Sequence, residues 1–150
     1  MHFNTLPGDF YENDYLFSFD KLKIPIAVVY KYLSEESYWA QRVPFAVVER
    51  SIQNSICLGI YESSGALAGF GRMITDQATF AYLADIFILN PHRGKGLSKA
   101  MVKAFCNLAG QFEVRRFMLT TQDAHGLYAQ YGFEPVSNPE RIMNKKGVSY

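Results

Sequence analysis

Residues 79–99 read TFAYLADIFILNPHRGKGLSK, an apolar stretch that runs straight into glycines and cations. Thr79–Leu89 is almost wholly apolar, the pattern of a strand buried on both faces. Asn90–Lys99 then sets Gly94 and Gly96 among His92, Arg93, Lys95 and Lys99. Beyond it, Leu97, Met101, Phe105 and Leu108 recur at helical spacing as far as Gly110. A strand that gives way to a helix through such a stretch is suited to holding an anion. The first helical turn has free N–H groups and a partial positive charge, and glycines let the backbone approach closely. The stretch therefore reads as a diphosphate cradle, with Arg93 and Lys95 adding charge. Nothing in the chain matches the P-loop pattern G-x-x-x-x-G-K-[ST]. Gly94 and Gly96 fit the start of the dinucleotide pattern G-x-G-x-x-G, but Lys99 stands at its third glycine.

Working outward, the apolar pattern predicts a strand over Tyr15–Asp20 and helices over Pro25–Leu33 and Pro44–Ser55, each with proline in its first turn. SEESYWAQRV between them reads as a loop or short helix. Ile56–Glu62 and Ala66–Thr75 alternate as strands about a turn at Ser63–Gly65, so Thr79–Leu89 is the third strand of a meander. Arg115–Thr121 reads as a strand, Ala124–Tyr131 as a helix that Asp123 could cap, and GFEPV and ERIMNKK as segments that finish the sheet. The helical crossover after Leu89 demands one parallel pair. The fold class is α/β, an α+β mixed sheet that is mostly antiparallel with one parallel pair and is flanked by about four helices.

The chain has 150 residues, 49% of them hydrophobic and 19% charged, which suits a single globular domain over residues 1–150. A formal charge of +1 gives no global attraction to nucleic acid or an anionic membrane, so any anion site is local. Cys57 and Cys106 sit in apolar patterns and read as structural thiols; no metal site is expected. MHFNTLPGDFYENDY lacks the basic and apolar regions of a signal peptide, and no apolar run reaches the length of a membrane span. The expectation is a soluble, cytoplasmic protein.

Arg93-Gly94-Lys95-Gly96-Leu97-Ser98 resembles R-x-x-G-x-G/A, the coenzyme A loop of the GNAT acetyltransferase superfamily, with Ser98 in place of the last small residue. Leu127–Pro135, LYAQYGFEP, looks like the Y-x-x-x-G-F segment of that family. Alignment on Tyr128 places Thr121 where the family often has asparagine. The resemblance implies a GNAT-like fold and N-acetyl transfer from acetyl-CoA to a small-molecule or peptide amine, by direct attack on the thioester. It implies that Arg93, Gly94, Lys95, Gly96, Leu97 and Ser98 hold the diphosphate. The backbone of Ile86, Phe87 and Ile88 would take the pantetheine arm and the thioester oxygen, and Tyr128 would protonate the departing thiolate. On the acceptor side it points to Ser34–Gln41. There Tyr38 and Trp39 offer aromatic faces to a cation, and Glu35 and Glu36 offer charge.

From the residues themselves, Asp85 is the candidate base, a single carboxylate within an apolar run. Burial raises a carboxyl pKa toward the useful range. Glu35, Glu36, Asp123 and His125 compete for that role. A module that binds acetyl-CoA without turnover is the alternative reading, and a homodimer is left open.

Overall fold

The structure, a computed structural model, describes residues 5–150. The first four residues of the N-terminal stretch read above lie outside it. Strands β1 (Phe10–Glu12) and β2 (Tyr15–Ser18) form a hairpin about Asn13 and Asp14. Both turn residues have positive φ, 51° and 66°, the left-handed pair that a two-residue hairpin turn needs and that Asn and Asp tolerate. The reading of the sequence missed β1 and carried β2 two residues too far. Asp20 is not a strand residue: its carboxylate accepts the Leu22 N–H at 3.0 Å and caps a short 3-10 turn.

Helix α1 (Ile26–Lys31) widens into a π turn over Tyr32–Glu36, which the Ser37 N–H closes on the Tyr32 carbonyl at 3.0 Å. Ser34 and Ser37 each donate their hydroxyl to the carbonyl four residues back, both at 2.7 Å, a habit that loosens helices. Helix α2 (Phe45–Gln53) follows. Strands β3 (Ile56–Tyr61), β4 (Leu67–Thr75) and β5 (Phe80–Ile88) make the expected meander. Helix α3 (Leu97–Gln111) crosses back, and β6 (Arg116–Met118) joins β5 in parallel, which among the described residues is the one parallel pair of a six-stranded sheet in the order β1-β2-β3-β4-β5-β6. A short α4 (His125–Ala129) follows.

The sheet separates two cores. Ile56, Leu58 and Ile60 of β3 pack on the α3 side with Leu97, Met101, Phe105 and Leu108, all buried as the helical spacing predicted. Cys57 and Tyr61, of opposite parity on the same strand, pack on the other side with Val29, Val48 and Ile52 of α1 and α2. Cys57 is a buried thiol whose pKa burial pushes up to about 11. Two expectations fail at the C-terminal end. GFEPV and ERIMNKK form no strands, and Pro139–Arg141 is a 3-10 turn. Pro135 and Pro139 lack the N–H a ladder uses, and most side chains after Gly132 are exposed, so no buried face rewards alternation there. Asp123 does not cap α4; the Thr121 hydroxyl accepts the Ala124 N–H at 3.0 Å instead. Among the described residues no helix is long and apolar enough to cross a membrane.

Candidate active site

Strand β5 is built differently at its two ends. Phe80, Ala81 and Tyr82 pair with Arg116, Phe117 and Met118 of β6, and there the pairing stops. From Leu83 to Phe87 the edge that faced β6 is open among the described residues, so its backbone groups are available to a ligand. On the other edge the register with β4 slips, since Phe70 faces Phe87 but Arg72 faces Ala84. Asp85 and Ile86 therefore bulge opposite Gly71, and Asp85 sits at φ 54°. A Cβ on Gly71 would lie 2.7 Å from Met101 Sδ and would collide with the tip of Ile86, so only glycine lets this bulge seat against α3.

A cleft of about 660 Å³ runs along this end of β5. Leu83, Ala84, Asp85 and Ile86 form one wall. Tyr38, Trp39, Tyr82 and Thr120–Ala124 stand around it, together with Tyr128 and Tyr150. The expected pantetheine residues Phe87 and Ile88 lie beyond this cleft, toward the glycine loop.

That loop bends as the sequence suggested. Gly94 and Gly96 have φ of 77° and 75°, and Gly96 directly precedes the first turn of α3. Among the described residues, no atom beyond the adjoining residues lies closer than 4.0 Å to the position a Cβ would take on either glycine, so the space beside the loop is open. Its cations are held by neutral acceptors. Arg93 donates from Nε to the Ile88 carbonyl at 2.9 Å and from Nη2 to the Tyr32 hydroxyl at 3.3 Å. Lys95 donates from Nζ to the Tyr15 hydroxyl at 3.1 Å. Among the described residues neither forms an ion pair with a carboxylate, so both charges are uncompensated toward an anion. Leu97 is buried and anchors the helix start, while Ser98 is half-buried beside it. Open glycines, the N–H groups that the first turn of a helix leaves without intrahelical partners and two such cations fit the diphosphate of a coenzyme A thioester.

Tyr128 is 9% exposed, packs edge-on against Phe133 and forms part of the cleft wall. Its hydroxyl has no hydrogen-bond partner among the described residues, although it is not sealed from the cleft. Burial, with Tyr38 and Asp123 nearby, pushes its pKa up to about 12.

Asp85 is not isolated, contrary to its appearance in the sequence. Its Oδ2 accepts Arg72 Nε at 2.6 Å and its Oδ1 accepts Trp39 Nε1 at 2.7 Å. Arg72 also donates to the Ser55 hydroxyl at 3.1 Å. Arg72 was missed, yet a signal was available: it is the lone charge in β4, as Asp85 is in β5, and the two strands form one hairpin. Tyr82, whose hydroxyl meets that of Thr120 at 2.8 Å, and Tyr150 were missed too.

Tyr38 and Trp39 reach the cleft as expected, in edge-on contact at 5.0 Å. The Tyr38 hydroxyl accepts the Gln122 N–H at 3.0 Å, which ties the segment after the π turn to the loop after β6. Glu35, Glu36 and His125 are exposed and do not line the cleft, whereas Asp123 does.

Three comparisons with known proteins bear on this geometry. Residues 26–133 match the Acetyltransferase (GNAT) family. A proposed acetyltransferase from Gibberella zeae is 31% identical over 145 residues, covering 84% of this chain and 82% of that protein. The crystal structure of a protein assigned to the GNAT family, from Xanthomonas campestris pv. campestris, superposes with a TM-score of 0.84. It is 41% identical and covers 89% of this chain and 93% of that one. A more distant fold relative from Clostridium acetobutylicum, crystallised with acetyl-CoA, gives a TM-score of 0.65 at 14% identity over 88% of this chain and 94% of its own. The matched segment runs from α1 through α4 and takes in the open strand edge, the glycine loop and Tyr128, so the chain belongs to the GNAT family and is an acetyltransferase.

Proposed function

We propose that this acetyltransferase moves the acetyl group of acetyl-CoA to a primary amine by direct attack on the thioester. The observation that carries the reading is the unpartnered hydroxyl of Tyr128 on a cleft that opens along the unpaired edge of β5. In the reaction the amine nitrogen bonds the acetyl carbon and the C–S bond breaks. The nitrogen loses one proton and the sulfur gains one. The thioester supplies the activated acyl group; the chain's residues orient it and manage the protons.

Free backbone N–H groups on the open edge of β5 meet the charge that develops on the thioester oxygen. Arg93, Lys95 and the turn at Gly94 and Gly96 hold the diphosphate, with the first helical N–H groups at Leu97 and Ser98. Arg93 also occupies the Ile88 carbonyl, so that group fixes the loop rather than meeting the pantetheine arm. An ordinary thiol has a pKa near 8.5, well below that of the buried Tyr128 phenol at about 12. Tyr128 therefore keeps its proton at neutral pH and donates a hydrogen bond to the sulfur as negative charge builds there; its raised pKa opposes full transfer, so the proton passes only as the C–S bond breaks.

Asp85 and Asp123 are the carboxylates lining the cleft among the described residues. Asp85 is held by Arg72 and Trp39, and its remaining lone pairs are free to accept a hydrogen bond from the incoming amine. Tyr38, Trp39, Tyr82 and Tyr150 give the acceptor aromatic surfaces, which suit an amine on a small molecule or at an exposed peptide end.

A panel of primary amines assayed with acetyl-CoA tests the activity, and initial velocities with both substrates varied test the route. Direct attack requires both substrates to be bound together, so the expected pattern is intersecting lines. Parallel lines together with an acetylated protein in the mass spectrum would replace direct attack by a covalent acyl-enzyme.

A further inference from the structure

Lys95 ends a chain of polar contacts that starts outside the glycine loop. Its ammonium donates to the Tyr15 hydroxyl at 3.1 Å and lies 5.6 Å from the centre of the Tyr15 ring. The same hydroxyl meets His92 Nδ1 at 2.8 Å, and His92 Nε2 lies 3.5 Å from Glu62 Oε2. An ammonium only donates, so the Tyr15 oxygen accepts from Lys95. With the neutral imidazole protonated at Nε2, facing Glu62, the Tyr15 hydroxyl gives its own proton to Nδ1. Carboxylate, imidazole, phenol and ammonium thus stand in one row of polar contacts. Tyr15 is 7% exposed, and the His92 side chain is 15% exposed.

The tip of the same hairpin makes a second contact. Asn13 donates from Nδ2 to the Lys95 carbonyl at 3.2 Å. In a trans peptide the C=O and N–H point in opposite directions, so this contact turns the Gly96 N–H away from the hairpin. Side chain and backbone of Lys95 are both set by β1–β2, a hairpin remote in sequence from the loop.

We propose that Tyr15, backed by His92 and Glu62 and flanked by Asn13, is a positioning residue that raises the affinity of the loop for the diphosphate of coenzyme A. It does so by holding Lys95 in place before the ligand arrives. The inference rests on the glycine loop being the diphosphate site of the proposed reaction. Tyr15 does not line the cleft.

The test is calorimetric titration of CoA and of 3′-dephospho-CoA into wild type, Tyr15→Phe, Lys95→Met and the double variant. Tyr15→Phe is expected to weaken CoA binding by roughly 3- to 10-fold, the range of one hydrogen bond. Dephospho-CoA, which keeps the diphosphate, should lose by the same factor. In the Lys95→Met background Tyr15→Phe should cost less than about twofold, because the group it acts through is gone. Asn13→Gly keeps the left-handed turn, removes the amide and gives an independent arm, with an expected loss of about 2- to 5-fold. During turnover KM for acetyl-CoA should rise with kcat held.

An undiminished loss in the Lys95→Met background would overturn the proposal, as would a loss confined to CoA or full affinity in both Tyr15→Phe and Asn13→Gly. Wild-type protein that binds neither ligand would remove the coenzyme reading itself, and this inference with it.

Discussion

The two banks of the proposed site, the cleft together with the glycine loop beyond it, are made of different materials. The donor bank is the open edge of β5, the glycine turn and the start of α3, and it works through backbone groups and two cations. The acceptor bank is Tyr38 and Trp39 after the π turn, Tyr82, and the loop after β6, and it works through side chains. A backbone site tolerates many side chains but depends on the few residues that set its shape. A side-chain site depends on every residue that faces the substrate. In the proposed reaction the donor bank would therefore bind what all acyl-CoA thioesters share, and the acceptor bank would decide which amine is used.

The largest effect should come from Tyr128, the proposed acid on the cleft wall. Tyr128→Phe removes an oxygen and keeps the ring, so the packing on Phe133 survives. Loss of a general acid costs roughly 100- to 10,000-fold in rate, and here the loss should fall on kcat, with the Kd for acetyl-CoA little changed. Wild-type turnover would take Tyr128 out of the mechanism. Loss of binding and turnover together would make it part of the donor bank instead.

Next is the donor bank's own shape. Gly96→Val puts a branched side chain at φ 75°, where only glycine rests easily, and fills the space beside the loop. CoA affinity should fall at least about 10-fold, or about 1.4 kcal/mol, in a protein that still folds. Unchanged affinity by calorimetry would show that the diphosphate lies elsewhere.

This difference in material also explains what could be read from the sequence. Gly94, Gly96 and the Leu97–Leu108 spacing were legible because local conformation and helical period leave residue-level marks. The acceptor bank leaves few. Trp39 and Asp85 are 46 residues apart, and their hydrogen bond depends on a bulge that no local propensity announces. Tyr38 and Trp39 were found only through the family resemblance, and Tyr150 had no signal at all. The β1–β2 hairpin was legible in principle, because Asn13-Asp14 between aromatic residues is a left-handed turn pair. The strands expected after Gly132 fail for a nonlocal reason, since alternation builds a strand only where one face is buried.

Asp85 lies where the banks meet, and its role separates by a double variant. Asp85→Asn keeps the size but leaves Arg72 without its counter-charge in a mostly buried position, where the two side chains are 11% and 16% exposed. A stability loss of about 1–3 kcal/mol by urea unfolding is expected. Asp85→Leu with Arg72→Met removes the unpaired charge and should recover much of that stability. If Asp85 serves the amine, activity stays low in the double variant while stability returns. Recovery of both would make the pair purely structural.

The smallest effect lies at the closed end of β5, where the strand is paired on both edges. Asp76 shapes the turn that leads into it. Its carboxylate accepts the N–H groups of Ala78, Thr79 and Phe80 at 3.0, 2.8 and 3.1 Å and the Thr79 hydroxyl at 2.6 Å. Those hydrogen bonds, that of the Thr79 side chain first, hold its carboxyl far below the ordinary carboxylate range. A carboxyl depressed in the folded state stabilises above its unfolded pKa, near 3.9, and loses that contribution as the pH falls toward the folded value. Asp76→Ala should therefore lower Tm by a few degrees at neutral pH, a modest loss because the group is solvent-exposed and screened. The gap to wild type should hold down to about pH 5 and narrow below about pH 4. Both kcat and CoA affinity should be unchanged, because the turn lies at the opposite end of β5 from the loop. A Tm gap that stays constant to pH 2 would mean that the lost contact is not the ionised carboxylate. A fall in kcat at constant CoA affinity would mean that the closed end of β5 also sets the angle of its open edge, and the strand could no longer be divided into a structural half and a functional one.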